Sequence, residues 1–374
     1  MWYRNARIFT PEGYLRGAFE VRDGRFAAVT EGDAPDREAA DLGGRKVIPG
    51  LTDIHTHGNS GADFSDGDPE GLERMARYLA GRGVTSFAPT SMTLPYDTLA
   101  RAYETGKALH DRRPEGCARV MGIHMEGPFL SRKKKGAQNG DYLRKPDYEA
   151  FRRLQEGCGG LIRIADAAPE LEGAAEFARL ASRSCTVSAA HTDAGYAEAC
   201  AAFDAGFSHV THLFNAMPPI HHREPGVIGA ASEREGVTAE LICDGYHVHP
   251  SSVRMAFRLF PGRICLISDA LRCCGMPEGE YELGGQRVFL RDGAAHLKDG
   301  TLAGSAAALT DCLRNAVRFG IPETEAVTAA TLTPARVIGA GEEIGSIEPG
   351  KLADFLVCSE SLEPEEVYIG GRRI

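Results

Sequence analysis

Val47-Ile48-Pro49-Gly50-Leu51-Thr52-Asp53-Ile54-His55-Thr56-His57-Gly58 is the stretch on which the reading of the fold turns. An apolar, β-branched pair and a Pro-Gly turn lead into a short apolar strand, and the strand closes on two histidines one residue apart. Side chains at i and i+2 of an extended chain share a face, so both imidazoles address one point. Neutral imidazole is a ligand for zinc, iron, cobalt and nickel, and such a pair offers two of the ligands that a divalent ion needs. The same tripeptide also suits hydrogen-bonded loop residues. Gly58 and Gly61 favour the metal reading, because a crowded site needs backbone that approaches closely, and recurrence of ligand-type residues downstream decides between the two.

Outward from this stretch, the chain before it reads as short strands and turns, with Asp23-Gly24 between alternating runs as a hairpin signal. The last thirty or so residues have the same texture. Neither end can bury a core alone, so residues 1–49 and 342–374 are expected to pair into one small β-sandwich domain, with the catalytic unit at 50–341 inserted between them. That unit alternates short apolar runs with amphipathic helical stretches, the pattern of a parallel sheet wrapped by helices. The runs lie at 51–55, 85–89, 119–126, 161–165, 185–191, 209–214, 238–244 and 264–269. Helical connectors include 70–80, 174–182, 194–205 and 306–319. Eight strands predict a closed (β/α)8 TIM-like barrel, whose chemistry sits at the carboxyl ends of the strands. At those ends stand His55 and His57, His124 and Glu126, His191, His212 and Asn215, Asp244 and His247, and Asp269. Any single one of these histidines suits a structural role; their recurrence at one level of the fold favours a site.

Composition narrows the class. A chain of 374 residues accommodates a barrel of about 250 residues with one smaller unit. Apolar residues are 43% and charged residues 25%, ordinary for a globular protein. No apolar run approaches a membrane span and no charged-then-apolar leader opens the chain, so no membrane partner and a cytoplasmic address are expected. Ten cysteines lack CxxC spacing and Cys273-Cys274 are adjacent, which suits reduced thiols rather than a disulfide framework. The net charge of -10 and a longest basic tract of Arg132-Lys133-Lys134-Lys135 argue against nucleic acid as partner. They leave room for an anionic small substrate met by a local cluster of cations.

The segment Pro49 to Gly58, together with Gly345-Ser346-Ile347-Glu348-Pro349-Gly350-Lys351-Leu352-Ala353-Asp354, resembles the metal-dependent amidohydrolase superfamily. Within it, His124-Met125-Glu126-Gly127-Pro128-Phe129, Thr211-His212-Leu213-Phe214-Asn215-Ala216-Met217 and Asp299-Gly300-Thr301-Leu302-Ala303-Gly304-Ser305 resemble the N-acetylglucosamine-6-phosphate deacetylase family. The similarity covers essentially the whole chain, and Glu126 stands where other branches usually hold a carboxylated lysine. The resemblance implies a divalent metal of the Zn, Fe, Mn, Co or Ni class, one or two ions per chain. Glu126, His191 and His212 would hold the principal ion, and His55 and His57 a second. It implies Asp269 as catalytic acid/base. It also implies substrate contacts at Ala137, Gln138, Asn215, Ala216, Arg223, His247, Leu302, Ala303 and Gly304, with Arg223 reaching a phosphate across a homodimer interface. Gln138 departs from the family, some of whose members have histidine there.

The expected reaction follows from these residue types. An amide carbonyl is poorly electrophilic and its nitrogen leaves badly; a metal addresses the first problem, and a carboxylate that takes a proton and returns it addresses the second. The substrate implied is a phosphorylated amino sugar, and the products acetate and glucosamine 6-phosphate. Another amidohydrolase such as a dihydroorotase or D-aminoacylase is the second reading, and a catalytically dead binding protein on the same fold the third. Glu126 and Asn215-Ala216-Met217 speak against the second; Asp269, Glu126, His191 and His212 together speak against the third. His110, His209, His249 and His296 receive no role, Lys133 to Lys135 read as a solvated loop face, and Cys273 and Cys274 as small apolar fillers.

Overall fold

The computed structural model describes residues 1–36 and 38–374. Eight parallel strands form the central barrel: β1 Leu51–Thr56, β2 Val84–Ser91, β3 Ile123–Phe129, β4 Ile162–Ala167, β5 Thr186–Ala189, β6 Phe207–Val210, β7 Thr238–Ile242 and β8 Ile264–Ile267. Each pairs with its neighbour in parallel register. The ring closes between its ends, where Asp269 N–H donates to the His55 carbonyl at 2.9 Å and Thr56 bridges Ala270. A second tie is polar: the Ser268 hydroxyl donates to Asp53 Oδ2 at 2.6 Å. The strands are buried nearly throughout, as a layer with helices on its outside requires.

The helices sit where the periodicity places them, at Pro69–Gly81, Ala174–Ala181, Tyr196–Ala205 and Leu309–Arg318 among others. The first shows why its boundary is sharp. Asp68 accepts from the N–H groups of Glu70 and Gly71, and Pro69, which has no N–H to satisfy, opens the first turn. Its apolar face, including Leu72, Met75, Ala76 and Leu79, buries against the barrel.

Both chain ends contribute to one eight-stranded sheet. It curls on itself: Phe26 N–H donates to the Lys351 carbonyl at 2.9 Å and Ala353 N–H to the Gly24 carbonyl at 2.9 Å. Its core is a knot of rings from Tyr3, Phe19, Phe26, Phe355 and Tyr368. Lys46, from the strand Lys46–Pro49, meets Glu323 at 2.7 Å, and Arg119 pairs with Asp354, so charged contacts join this sheet to the barrel.

Two features differ from the expectation. The strand read at 209–214 stops at Val210, and the one at 185–191 stops at Ala189. The residues beyond leave the strand because His191, His212, Phe214 and Ala216 have positive φ (43°, 31°, 78° and 52°), which extended backbone does not accommodate. Between β8 and its helix, moreover, the chain inserts a three-stranded antiparallel sheet, Gly279–Leu283, Gln286–Arg291 and Ala294–Leu297. Its end, with residues 301–304, overhangs the carboxyl face of the barrel.

Candidate active site

The carboxyl ends of the strands deliver one buried cluster. β1 carries His55 and, one residue past its end, His57; β3 carries Glu126; the turns after β5, β6 and β8 carry His191, His212 and Asp269. All six are at most 7% exposed. Glu126 lies at the centre. Its Oε1 is 3.2 Å from His191 Nε2 and 3.1 Å from His212 Nε2, and its Oε2 is 3.3 Å from His57 Nε2. Asp269 Oδ1 is 3.2 Å from His57 Nε2 and 3.5 Å from His55 Nε2. Close approach of backbone is needed at the rim. A Cβ on Gly58 would meet the Ala62 carbonyl at 2.3 Å, and one on Gly304, at φ 23°, the Asp269 carbonyl at 2.8 Å.

The proton positions follow from the outward partners. His57 Nδ1 faces the Thr90 carbonyl at 3.1 Å and His191 Nδ1 the Lys134 carbonyl at 2.8 Å; a carbonyl only accepts, so each Nδ1 donates and each Nε2 turns a lone pair inward. His55 Nδ1 likewise faces Glu240 Oε2 at 2.8 Å, and His55 Nε2 has no hydrogen-bond partner.

This donor set fits a divalent cation. The Nε2 atoms of His191 and His212 stand 3.1 Å apart, an unfavourable meeting of lone pairs unless something positive lies between them. Two groups, Glu126 with His191 and His212, and Glu126 with His55 and His57, each bring their ligand atoms within 4.8 Å of one another. Glu126 belongs to both, one carboxylate serving two half-sites. Without an ion, protons take that place. Burial alone would lower the His212 ring, but the hydrogen bond and charge of Glu126 push it up to about 9. Burial would raise Glu126, yet hydrogen bonds from His191, His212 and His57 hold it well below the usual carboxylate range. Burial likewise acts to raise Asp269, and attraction to His55 with the His57 hydrogen bond outweighs it, so the carboxyl titrates below its ordinary value. Metal binding displaces such protons.

Above the cluster is a cavity of about 380 Å³. Ala137, Gln138, Asn215, Ala216, His247, Leu302, Ala303 and Gly304 all line it, with His57, Glu126, His191, His212 and Asp269 at its floor. Arg223 does not; it sits on the exposed loop after residue 217, its Nη1 2.7 Å from His222 Nε2. Gln138 is 3% exposed and uses both ends of its amide, donating to Glu126 Oε2 at 2.5 Å and accepting from Thr93 N–H at 2.8 Å. His247 is anchored by Asp244, 2.6 Å from its Nδ1. A larger cleft, about 900 Å³, opens between residues 113–119 and 364–374. None of the candidate metal-holding groups among the described residues lies in it.

Several wall residues carry no signal in residue type alone. Lys133 and Lys134, read as a solvated loop face, line the cavity, as do Met92, Leu271, Leu283 and Thr301. Behind the cluster lie His124, Asp166, His209 and Glu240, all fully buried. One signal was available: Glu240 interrupts the otherwise apolar core of the run Ala239 to Ile242, and a carboxylate inside a barrel strand needs a partner.

The amidohydrolase family model matches residues 46–374. An N-acetylglucosamine-6-phosphate deacetylase of Bacillus subtilis (strain 168) is 40% identical over 324 residues, 85% of this chain and 81% of its own length. The chain belongs to the amidohydrolase family. An N-acetylgalactosamine-6-phosphate deacetylase of Escherichia coli O157:H7 is 34% identical over 99% of this chain and 98% of its own. A mutant N-acetyl-D-glucosamine-6-phosphate deacetylase from Mycobacterium smegmatis, solved in complex with N-acetyl-D-glucosamine-6-phosphate, superimposes with a TM-score of 0.93 at 32% identity. That match covers 100% of this chain and 98% of the other. Amidohydrolases of this superfamily depend on divalent metal, and the clustered histidines and glutamate form candidate ligand groups. No helix among the described residues is long and apolar enough to cross a membrane.

Proposed function

We propose that this amidohydrolase removes the N-acetyl group of N-acetylglucosamine 6-phosphate, giving glucosamine 6-phosphate and acetate. The observation that carries the reading is the convergence of Glu126, His191, His212, His57 and Asp269 at the floor of one cavity, with His55 buried just beneath, 3.5 Å from Asp269 Oδ1, in a chain whose relatives bear that activity in their names. Glu126, His191 and His212 would hold the principal divalent ion, and His55 and His57, together with Glu126, would hold a second. Such an ion supplies Lewis acidity, lowering the pKa of water towards about 7 and polarising a carbonyl oxygen.

The chain's own groups do the rest. Asp269 is ionised at neutral pH, held so by His55 and His57, and takes the proton of the attacking water at its carboxylate oxygen. It then gives that proton to the departing nitrogen, which leaves as an amine. His57, donating through Nδ1 to Thr90, keeps a fixed ring plane beside Asp269. Asn215, His247 and the 302–304 segment orient the sugar, and burial of the floor excludes bulk water. Lys133 and Lys134 line the wall with their ammonium groups 2.9 and 3.9 Å from the Asp193 carboxylate, and a substrate phosphate would compete with that carboxylate for them. Arg223, exposed and outside this chain's cavity, serves as phosphate clamp for the neighbouring protomer of a homodimer, where a guanidinium fork matches phosphate oxygens. The ten free thiols suit the reducing cytoplasm.

The relative named for N-acetylgalactosamine 6-phosphate favours one alternative substrate, the C4 epimer. Initial rates on N-acetylglucosamine 6-phosphate, its galacto epimer and unphosphorylated N-acetylglucosamine separate the readings. The expected order places the gluco phosphate first and the unphosphorylated sugar last by orders of magnitude in kcat/KM. Equal rates with and without the phosphate would overturn the phosphate clamp.

A further inference from the structure

We infer that Glu240 is a positioning residue that sets both halves of the metal cage from behind. It rests on the reading of His55 and His212 as ligands. Glu240 lies on β7, inside the barrel and fully buried. Its Oε2 accepts two hydrogen bonds, one from His55 Nδ1 at 2.8 Å and one from the backbone N–H of His212 at 3.2 Å, and its own carbonyl accepts from Leu213 N–H at 2.9 Å. The first bond commits the His55 proton to Nδ1 and leaves Nε2 as the inward base, 3.6 Å from Glu126 Oε1. The other two grip the turn in which His212 adopts φ 31°, a conformation that a non-glycine residue holds only when its surroundings insist. One carboxylate thus fixes a ring orientation in one half-site and a backbone in the other.

A second tier supports it. The His124 ring packs against the His55 ring with centroids 4.5 Å apart, its Nδ1 3.0 Å from the Ile54 carbonyl and its Nε2 3.0 Å from Asp166 Oδ1. The same Asp166 oxygen accepts from the Thr211 hydroxyl at 3.0 Å, next to His212. His55, His124 and Glu240 lie close enough together to hold an ion of their own. Both nitrogens of His124 are already engaged, however, and Glu240 Oε2 already accepts twice, so this trio is support rather than a third site.

The test is the affinity and number of bound Zn(II) or Co(II) ions, read by competition with a chelator, in the parent, Glu240→Gln and Glu240→Leu, beside the unfolding temperature of each ion-free chain. Glu240→Leu removes the acceptor, and about a hundredfold weaker binding is expected; Glu240→Gln keeps one oxygen in place, and about tenfold is expected. If the leucine variant does not fold, the glutamine variant decides alone. Parent-like affinity and ion count in a folded variant would overturn the inference, as would a loss of ions that only tracks unfolding. A parent chain that binds no divalent ion would overturn the metal reading itself, and this one with it.

Discussion

In the sheet built from the chain ends, Tyr3, Phe19, Phe26, Phe355 and Tyr368 pack with ring centroids 4.3 to 6.0 Å apart. At the carboxyl end of the barrel, space buried to the same degree holds His55, His124, Glu126, Asp166, His209 and Glu240. The aromatic core is stabilised by removal of apolar area from water, and its edge and stacked contacts add to that without asking for any one partner atom. The polar interior is the reverse: each buried nitrogen and carboxylate costs desolvation unless a partner meets it. Some are met only loosely: His209 Nε2 and Glu240 Oε1 face each other at 3.3 Å, and His55 Nε2, without a hydrogen-bond partner, stands 3.5 Å from Asp269 Oδ1 and 3.6 Å from Glu126 Oε1. The same region holds His191, His212 and Asp269 at positive φ, whereas the aromatic core residues all adopt ordinary extended backbone. Departure from the ordinary rules of packing and backbone marks the part of the molecule shaped for chemistry.

Four perturbations probe that contrast. The largest expected effect belongs to Asp269→Asn, which keeps the shape and removes the proton acceptor: kcat should fall by about 10²- to 10⁴-fold with metal content unchanged. Near-parent turnover would remove Asp269 from the chemistry. Next, Phe355→Ala should cost about 3–5 kcal/mol of stability in urea unfolding and leave kcat and ion count of the folded protein as they were. An ion count that fell with it would mean that the two cores are not independent. Arg223→Ala should raise KM for the phosphorylated sugar by about tenfold to a hundredfold with little change in kcat, as loss of a charge-assisted hydrogen bond of roughly 1.5–3 kcal/mol requires.

The smallest effect concerns pH. Burial acts to raise the Asp244 carboxyl, but the hydrogen bond and charge of His247, with backbone N–H groups, bring it below its ordinary 3.8. A carboxyl depressed by folding contributes stability that is present above its unfolded pKa and lost as pH falls through the folded value. Urea unfolding between neutral pH and about pH 3 should therefore show a steeper acid loss in the parent than in Asp244→Asn. Parallel curves would mean that the His247 contact contributes nothing to stability.

Much of this architecture was legible in the sequence, for physical reasons. Apolar runs spaced by amphipathic helices give the barrel, and ligand-type residues at the ends of those runs mark its working face; the eight strands and the helices at 69–81 and 309–318 stand where the periodicity puts them. Strand ends were overextended at 191 and at 211–214, because hydrophobic period carries no information about a turn to positive φ at His191 or His212. The inserted sheet at 279–297 did carry a signal, Gly284-Gly285 and Asp292-Gly293 between alternating runs. Glu240 was visible as a charge within an apolar strand, yet its partners come from β1 and the turn after β6, which only the closed ring brings to it. For Arg223 only the resemblance, which has it reach a phosphate across a homodimer interface, pointed away from its own chain's cavity, since sequence separation says nothing of which cavity a surface loop faces.

The central claim is that the strand-end cluster is a metal-dependent amide hydrolase acting on N-acetylglucosamine 6-phosphate. Its most direct test is acetate release from that sugar phosphate, measured on one purified sample beside its divalent-metal content. Turnover with one or two ions per chain, lost on chelation and restored by returning the metal, is the expected result. Stoichiometric metal with no acetate released would contradict the substrate, and acetate release undiminished in fully metal-free protein would contradict the mechanism.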